Sequence, residues 1–448
     1  MTHHSLRFAF FSTLMLAGCA APPGEAEGTT SAPITDRCGT PAGDAIASEA
    51  TTHRSTITPS LIDTSANRVI AGPLVEAHDI GPALYDLVVD AQYSVFIEYF
   101  YIQNDAWLAQ QLVRALADMK NPDVPVYVMT NPSDPGESTL GGAGGYDTAA
   151  EARRVGELLN PTGRANVHFA AWNPDGFANL DFMHDKLVVV DGFRALVSDS
   201  NLEIKSDPPD QRPSNERGNG WFQLGIVVEG TVAMALEDEA RAAWQRRAPD
   251  VVLPPVYTRK AEGSCTRMIA LGRNAGAGED ESADRGYAAM LRNAQLSVNV
   301  LTPNLNDDGA LQAIADATAN ADVRIVLPKA FDETEENYPL QGGGNEHNVG
   351  RLVSMAKNKC HLHVHWFVND QGWQSDGNDD HASHAKFASV DSAIMILGSQ
   401  NLDTQSWKHS RELGVAVDDW QTTQSFDRVF SAVFVRSTVA YEPDASCP

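Results

Sequence analysis

Two short stretches of the sequence carry residue types that could do chemistry, and they are almost the same stretch. The first begins at His184 and the second at His384, and each has a Lys two positions further on, Lys186 or Lys386, before an apolar run. Side chains two positions apart on a β-strand point to the same face of the sheet. Each stretch is therefore predicted to present an imidazole and an ammonium group together.

Each stretch ends on an acid, and an Asn follows ten residues beyond that acid. In the second half this Asn closes the segment Gly-Ser-Gln-Asn, whereas the first half has Ser198 and Asp199 in place of the Gly and the Ser. The chain thus offers nearly the same set of polar groups twice. The candidate site residues are His184, Lys186, Asp191 and Asn201 in the first half, and His384, Lys386, Asp391, Ser399 and Asn401 in the second.

Two imidazoles and two ammonium groups suit the cleavage of a phosphodiester. A neutral imidazole is a nucleophile toward phosphorus, and a second imidazole can protonate the leaving oxygen and later activate water. Lysines, asparagines and backbone N–H groups can stabilise the charge on the non-bridging oxygens as the bond breaks. This chemistry requires no metal ion and no organic cofactor, and we expect neither.

The pattern H-x-K-x4-D followed by G-S-x-N, present twice in one chain, resembles the phospholipase D superfamily. The resemblance covers nearly all of the chain beyond its amino-terminal region, and it implies a covalent phosphohistidine intermediate. In that family the His of the first motif usually forms the intermediate. The resemblance therefore makes His184 the expected nucleophile and His384 the expected acid and base, while the reverse assignment stays open because the two stretches are so similar.

The family also suggests how the imidazoles are oriented. Asp191 and Asp391 would each hold the His of the other half across an interface, fixing its tautomer. The alternative is that these acids only cap a turn. Glu412 could share the orienting task, although the equivalent position in the first half is Gln223. A carboxylate raises the pKa of an imidazole that it contacts, so Glu412 beside His384 would favour His384 as the acid.

The chain of 448 residues is longer than one ordinary domain, and an internal repeat shows how it divides. The segment Ala91–Val95 recurs as Ala294–Val298, each time between a predicted helix and a predicted strand. Strands alternating with helices predict sheets that are covered on both faces. We therefore expect an α/β fold of two similar phospholipase D-like lobes, residues 66–252 and 253–448. Each lobe would be a mixed sheet flanked by helices, and the resemblance to the phospholipase D superfamily implies an active site at their pseudo-twofold interface.

The amino-terminal residues resemble a bacterial lipoprotein signal. A short apolar run follows Arg7, and Leu16-Ala17-Gly18-Cys19 has the form of a lipoprotein cleavage site. We expect residues 1–18 to be a signal peptide, Cys19 to carry lipid, and residues 19–65, which have few large apolar side chains, to be a flexible tether. An ordinary secretory signal is the alternative. The protein would then be exported and lipid-anchored in the cell envelope, with Ala20 favouring the outer membrane and the catalytic part in the periplasm or at the cell surface.

An exported chain favours the oxidation of its cysteines. Four remain after Cys19, and they allow two disulfide bonds in three connectivities. Spacing does not choose among these, although a bond from either terminal Cys would hold a chain end in place. The four are Cys38, Cys265, Cys360 and Cys447.

Charge points to the substrate class. The formal net charge is -26 at pH 7, and an acidic protein repels polyanions, whereas nucleic-acid binding relies on basic patches. A nucleic-acid partner is therefore disfavoured, and the expected partner is a phospholipid at a membrane surface. The Pro-rich residues 202–220 form a long loop that is a candidate substrate lid.

The leading hypothesis is an exported phosphodiesterase of phospholipase D type, which hydrolyses the head-group phosphodiester of a glycerophospholipid to phosphatidic acid. The first alternative is a cardiolipin-synthase-like phosphatidyl transferase, which would use the same residues with an alcohol as acceptor. A nuclease or other phosphodiesterase is disfavoured by charge. A non-catalytic lipid-anchored scaffold is disfavoured because both His and Lys pairs are intact.

Overall fold

The short apolar runs of the sequence become the strands of one sheet. The computed structural model describes residues 39–53, 62–131, 148–172, 182–211, 220–257, 266–274, 281–331, 341–375 and 381–447. Several sequence predictions lie outside these described residues: the signal peptide, the lipid attachment at Cys19, residues 212–219 of the predicted lid, and two of the four cysteines, Cys38 and Cys265.

The first half of the chain alternates strands and helices. After helix α1 (Pro41–Thr52), its elements are β1 (Asp63–Val75), α2 (Glu76–Val89), β2 (Val95–Tyr99), α3 (Trp107–Ala117), β3 (Val126–Thr130), α4 (Thr148–Leu159), β4 (Val167–Ala171), β5 (Lys186–Val190), β6 (Arg194–Ser198), β7 (Leu224–Gly230) and α5 (Thr231–Arg247). Within the predicted lid, Ile204–Ser206 and Pro209–Gln211 form single 3-10 turns.

The second half repeats this order. Its elements are β8 (Thr266–Arg273), α6 (Ser282–Arg292), β9 (Ser297–Leu301), α7 (Asp308–Ala317), β10 (Asp322–Leu327), α8 (Asn345–Met355), β11 (Leu362–Trp366), β12 (Phe387–Val390), β13 (Ile394–Gly398), α9 (Thr404–Lys408), β14 (Glu412–Asp418), α10 (Trp420–Arg436) and β15 (Thr438–Tyr441). The expected α/β fold of two similar lobes is confirmed. No helix in the described part of the chain is long and apolar enough to cross a membrane.

Each lobe has a mixed sheet, as expected. The strand order over the described residues is β15-β11-β10-β9-β12-β13-β14-β8-β1-β7-β6-β5-β2-β3-β4. In the first lobe β2, β3 and β4 are parallel, and β5 lies antiparallel between β2 and β6. In the second lobe β9, β10 and β11 are parallel, and β12 lies antiparallel between β9 and β13. Because β5 and β12 immediately follow the two His residues, the repeat puts both motifs at equivalent places.

The two lobes share one continuous sheet because β1 pairs with a strand of each lobe. Asp63 at its start is paired with Ile269 of β8, and Val69 further along is paired with Val228 of β7, both antiparallel. This strand is 13 residues long, which gives it room for both partners. The sequence pattern predicts a separate sheet in each lobe. In the structure β1 is long enough to pair with both sheets and joins them into one.

Alternate side chains of the central strands pack into cores on opposite faces of the sheet. Val95 and Ile97 of β2 lie in one core with Leu84 of α2, whereas Phe96 between them lies in the other core with Trp244 of α5. These side chains are fully buried. A strand covered on both faces has a continuous apolar sequence, as this one does.

The predicted tether is wrong for residues 41–52, which form α1. The hydroxyl of Thr40 accepts a hydrogen bond from Gly43 N–H and caps the helix. Ile46 is fully buried and packs at the place where Gly286 of α6 leaves room for it, and Asp44 pairs with Arg267 of β8 at 2.7 Å. The scarcity of large apolar residues suggested disorder, but small side chains allow α1 a close approach to the second lobe.

The carboxyl-terminal strand β15 is held to the second lobe in two ways. It pairs antiparallel with β11, and Cys447 just beyond it forms a disulfide bond with Cys360. One of the two bonds in one of the three possible connectivities is therefore present. It fastens the segment that contains Cys447, as predicted for a bond from this residue. Residues 360 and 447 are 87 apart in sequence.

Candidate active site at the interface of the lobes

Backbone pairing between the lobes brings the two His motifs together. Met183 forms a β-bridge with Arg411, and Ser383 forms the corresponding bridge with Phe222. The residues that follow the first partners are His184 and Glu412, and those that follow the second are His384 and Gln223. The backbone N–H groups of the two His residues donate to Arg411 O at 2.8 Å and to Phe222 O at 2.9 Å. The two motifs therefore meet at an interface between the lobes, as the family resemblance implied.

The two Lys residues are buried beside their His residues, each about 1 % exposed. Lys186 Nζ donates a hydrogen bond to His184 O at 2.5 Å, and Lys386 Nζ donates one to His384 O at 2.7 Å. Burial lowers the pKa of each Lys to about 7, and nearby carboxylates, Glu412 among them, oppose this shift. Both ammonium groups therefore lose their charge near neutral pH unless an anion binds.

Glu412 of the second lobe contacts the His of the first lobe. Both of its carboxylate oxygens lie 3.0 Å from His184 Nδ1. The hydroxyls of Ser399 and Ser406 donate to the same carboxylate at 2.5 and 2.7 Å. Burial raises the pKa of Glu412, but the charge and hydrogen bond of His184, with Lys186, outweigh burial and hold it below its usual value. The carboxylate is thus ionised and fixes the orientation of this imidazole.

The expectation that Glu412 could serve His384 is wrong, and the argument for the acid that was based on it fails. His384 Nδ1 instead lies 2.8 Å from the backbone carbonyl of Asp199. Its ring stacks on Trp221 at 4.5 Å between centroids, with Phe331 5.8 Å away. Burial lowers the pKa of His384 well below its usual value, and the charges of Lys386, Lys186 and His184 lower it further. The backbone bridges beside the two motifs bring these four residues to one interface.

The imidazole of His184 is also mostly buried, with a side chain 12 % exposed. Phe100 packs edge-on against it at 5.1 Å between ring centroids. Burial lowers the pKa of His184 to about 4, although Glu412 opposes that shift. Both imidazoles are therefore neutral at neutral pH when no ligand is bound.

The expectation that Asp191 and Asp391 orient the His residues is wrong. The Asp191 carboxylate accepts hydrogen bonds from the backbone N–H groups of residues 92–94, and Asp391 does the same for residues 295–297. Both acids have a positive φ, near 58° and 55°, because they turn the β5–β6 and β12–β13 hairpins. The alternative holds: they cap the turn and fasten it to the start of the neighbouring strand.

The two Asn residues are buried at equivalent places and contact acids of their own lobe. Asn201 Nδ2 donates to Glu203 at 2.5 Å, and Asn401 Nδ2 donates to Asp403 at 2.8 Å. Their carboxamide oxygens have no hydrogen-bond partner in the described residues. Of the predicted site residues, His184, Lys186, Glu412 and Ser399 are joined by hydrogen bonds. His384 and Lys386 form a second hydrogen-bonded pair at the same interface, and the Asn residues lie just beyond β6 and β13.

Two buried residues that contact the first lobe or the second motif were not predicted from the sequence. Arg411, buried to 1 % exposure, pairs with Glu98 at 3.0 Å and with Asp185, the residue after the first motif His. Asp199 is fully buried and contacts the second motif across the interface. Arg411 has Phe222 as its first-lobe equivalent, so the repeat could not reveal it, whereas the unusual residue at position 199 was a visible signal. No group of three or more His, Cys, Asp or Glu residues suited to a metal ion occurs among the described residues.

Comparison with known proteins identifies the family. The family described as "Cardiolipin synthase, PLD-like domain" matches residues 84–208 and 287–434, which together are more than half of the chain. The chain belongs to the phospholipase D superfamily. Each matched segment contains one of the two His motifs, so the internal repeat is a repeat of the family's domain.

Relatives of this superfamily chain include named synthases. It is 22% identical over 375 residues to "Cardiolipin synthase A" of Pseudomonas syringae pv. syringae (strain B728a), covering 81% of this chain and 67% of that protein. It is 23% identical over 398 residues to the protein of the same name from Pseudomonas aeruginosa (strain LESB58), covering 86% and 70%. The crystal structure of phosphatidylserine synthase from Haemophilus influenzae Rd KW20 covers 82% of this chain and 87% of its own, with a TM-score of 0.56 at 14% identity. That likeness confirms the fold of two phospholipase D-like lobes.

Proposed function

We propose that the protein is a phosphatidyl transferase, which moves the phosphatidyl group of a glycerophospholipid to an alcohol through a phosphohistidine intermediate. The observation that carries the proposal is the pairing of two His–Lys motifs across one interface, with an ionised Glu412 on His184. The sequence favoured hydrolysis, with transfer as the alternative. The names of the relatives favour transfer, and they favour an acceptor alcohol that a second phospholipid carries, as the synthesis of cardiolipin requires.

The first step uses His184 as the nucleophile. Its Nε2 lone pair attacks phosphorus while Nδ1–H donates to Glu412, and the bond from phosphorus to the leaving oxygen breaks. Attack turns the imidazole into a cation, which the adjacent carboxylate stabilises. His184 is thus the proposed nucleophile because Glu412 contacts it, and not because Glu412 contacts His384, as the sequence had suggested. The leaving alcohol takes a proton from His384, whose pKa rises when the anionic phosphate binds beside it.

The second step reverses the roles. The acceptor hydroxyl gives its proton to His384, its oxygen attacks phosphorus, and the electron pair of the P–N bond returns to His184 Nε2. Lys186 and Lys386 neutralise the non-bridging oxygens in both steps. Water in place of the alcohol would give phosphatidic acid, and this hydrolysis is the second candidate. The aromatic rings of Trp221 and Phe331 against His384 favour an organic acceptor, because they present apolar surface to the incoming group.

The test is product analysis with phosphatidylglycerol vesicles, with and without a short primary alcohol. Transfer predicts cardiolipin without added alcohol and a phosphatidyl-alcohol when alcohol is present, both exceeding phosphatidic acid. Phosphatidic acid as the sole product under both conditions would support hydrolysis instead. A single-stranded DNA substrate, which the charge of -26 disfavours, serves as the control for general phosphodiesterase activity.

We also propose that Cys19 anchors the protein to the cell envelope, on the strength of the Leu16-Ala17-Gly18-Cys19 box. A lipid anchor would hold the site at the surface that carries its substrate. Replacing Cys19 with Ser should release the protein from the membrane fraction or stop its processing. Normal processing and membrane fractionation of the Cys19→Ser variant would count against the anchor.

A further inference from the structure

Each lobe has a buried carboxylate beside its motif strands, but the carboxylate occupies different positions in the two lobes. The second lobe has Ser399 at the end of β13 and Glu412 at the start of β14, whereas the first lobe has Asp199 and Gln223 at these positions. The backbone shows that the positions correspond, since Ser399 N donates to Leu413 O at 2.9 Å and Asp199 N donates to the O of the equivalent residue 224 at 3.1 Å. Each lobe therefore contributes one acid from this pair of positions, but not from the same position.

In the first lobe Gln223 occupies the position that corresponds to Glu412, but it carries no charge and its side chain donates a hydrogen bond where Glu412 accepts one. Ser406 Oγ donates to Glu412 at 2.7 Å, whereas Gln223 Nε2 donates to Ser206 Oγ at 2.8 Å. The Oε1 atom of Gln223 has no hydrogen-bond partner within the described residues. The cross-lobe bridge places Gln223 relative to His384 as Glu412 is placed relative to His184. Position 223 therefore supplies no carboxylate to His384, whereas position 412 supplies one to His184.

Asp199 supplies contacts to the motif of the opposite lobe that Ser399 does not. Its carboxylate accepts hydrogen bonds from Leu224 N–H at 3.0 Å, within its own lobe, and from Lys386 N–H at 3.2 Å, across the interface. Its backbone carbonyl lies 2.8 Å from His384 Nδ1. The carbonyl can only accept, so Nδ1 carries the proton and Nε2 faces away from this contact. The carboxylate thereby fixes the carbonyl that sets the tautomer of His384.

We propose that Asp199 is the positioning residue of His384, and that it replaces the acid absent from position 223. The inference rests on the proposed function, in which His384 passes a proton to and from the reacting oxygens. Asp199 acts through the backbone contact to Nδ1 and through its negative charge beside Lys386. Without that charge, Lys386 would lose one of the carboxylates that moderate its effect on the proton of His384.

The charges around His384 come from both lobes. Lys386, Lys186 and His184 disfavour its protonation, while Glu412, Glu203 and Asp403 face the two lysines and moderate them. Burial raises the pKa of Asp199 to about 7, and Lys386 with the two N–H donors opposes that shift. Its charge therefore develops near neutral pH, so its effect on His384 grows as the pH rises above 7.

The kinetic test compares Asp199→Asn with the wild type and with Asp90→Asn, an acid of the first lobe that is 47 % exposed and pairs with Lys120, outside the site and the predicted lid. Asp199→Asn should lower kcat by about 10- to 100-fold, because a positioned acid–base group contributes 10²–10⁴ to the rate. It should also move the descending limb of the pH–kcat profile down by about one pH unit, since removing a nearby opposite charge lowers a pKa by that order. The Asp90→Asn control should change neither quantity.

The decisive variant transfers the carboxylate from position 199 to position 223. Gln223→Glu alone should lose activity, because it places a second buried carboxylate beside Asp199. Asp199→Ser/Gln223→Glu, which copies the second lobe, should recover at least tenfold over Asp199→Ser alone, a non-additive result expected of groups that share one role. Additive losses, or an Asp199→Asn profile parallel to that of the wild type, would overturn the proposal.

A measurement without turnover separates this inference from the proposed function. Nitrogen-15 NMR of labelled His in the substrate-free protein reports the tautomer and pKa of His384 directly. The proposal predicts a proton on Nδ1 in the wild type and a lower pKa in Asp199→Asn. An unchanged His384 signal would overturn it even if phosphatidyl transfer is established. The predicted change would support it even if the reaction proves to be hydrolysis.

Discussion

The ionisation of the two buried lysines should govern how the site binds anions. Burial brings the pKa of both Lys186 and Lys386 to about 7, so in the free protein their charge is present below that pH and lost above it. A bound dianion favours the charged forms, and binding above pH 7 must therefore take up protons. We predict that sulfate affinity falls by about 10- to 100-fold per pH unit above pH 7, for one or two protons taken up.

Sulfate is the suitable probe because its own charge is constant from pH 6 to 9. Its inhibition constant or its calorimetric binding constant gives the measurement. Lys186→Arg provides the control, since a guanidinium keeps its charge throughout and should flatten the dependence. A wild-type affinity that does not change with pH would show that the lysines stay charged or lie away from the anion.

The hairpins that follow the two motifs differ at one residue with a strained backbone. Asp391 and Ser392 both have positive φ, and the residue equivalent to Ser392 in the first lobe is Gly192. A non-Gly residue in this region costs about 1–2 kcal/mol, while Gly adds back some unfolded-state entropy. Ser392→Gly should therefore raise the free energy of unfolding by about 0.5–1 kcal/mol, as measured by chemical denaturation.

Gly192→Ser is the matched control for that hairpin prediction. A Cβ at Gly192 would lie 2.8 Å from Glu237 Oε2 and 3.1 Å from Tyr257 O, so the variant should be destabilised by crowding as well as by φ. If Ser392→Gly lowers stability, the positive φ at Ser392 is not a source of strain.

The elements that carry the site could be predicted, but the contacts between them could not. Two His–Lys stretches before apolar runs were enough to predict β5 and β12, and the family resemblance implied that they meet at an interface. The partner of each imidazole depends on a β-bridge between segments more than 150 residues apart, Met183 with Arg411 and Ser383 with Phe222. Sequence spacing alone could not show that Asp191 turns inward to three N–H groups of its own lobe.

The join between the lobes depends on Arg411, which no repeat predicts. It is buried, and it contacts Glu98 and Asp185 of the first lobe while its own strand belongs to the second. Burial raises the pKa of Glu98, and Arg411 opposes that shift. Removing the cation would leave buried carboxylates without their partner. Arg411→Met should therefore cost about 3–5 kcal/mol in the free energy of unfolding, and the exposed Arg428→Met should cost little. Equal stability of the two variants would contradict this role.

In the described residues the two lobes share one sheet, and the two His motifs meet where the lobes pair, so the proposed reaction would use residues of both lobes. β1 joins the lobes through β7 and β8, and the bridges beside the motifs join them again. The near-twofold arrangement makes the two His residues similar in position, while Glu412 and Asp199 make them different in environment. The assignment of nucleophile and acid follows from that difference.

The central claim is tested most directly by identifying the His that becomes covalently linked to phosphorus. Turnover of a slow phosphatidyl substrate would be stopped at alkaline pH, where phosphohistidine survives, and the protein digested and mapped by mass spectrometry. The account predicts the phosphatidyl adduct on the peptide that contains His184, beside its partner carboxylate Glu412. An adduct on the peptide that contains His384, with none on the other, would contradict it.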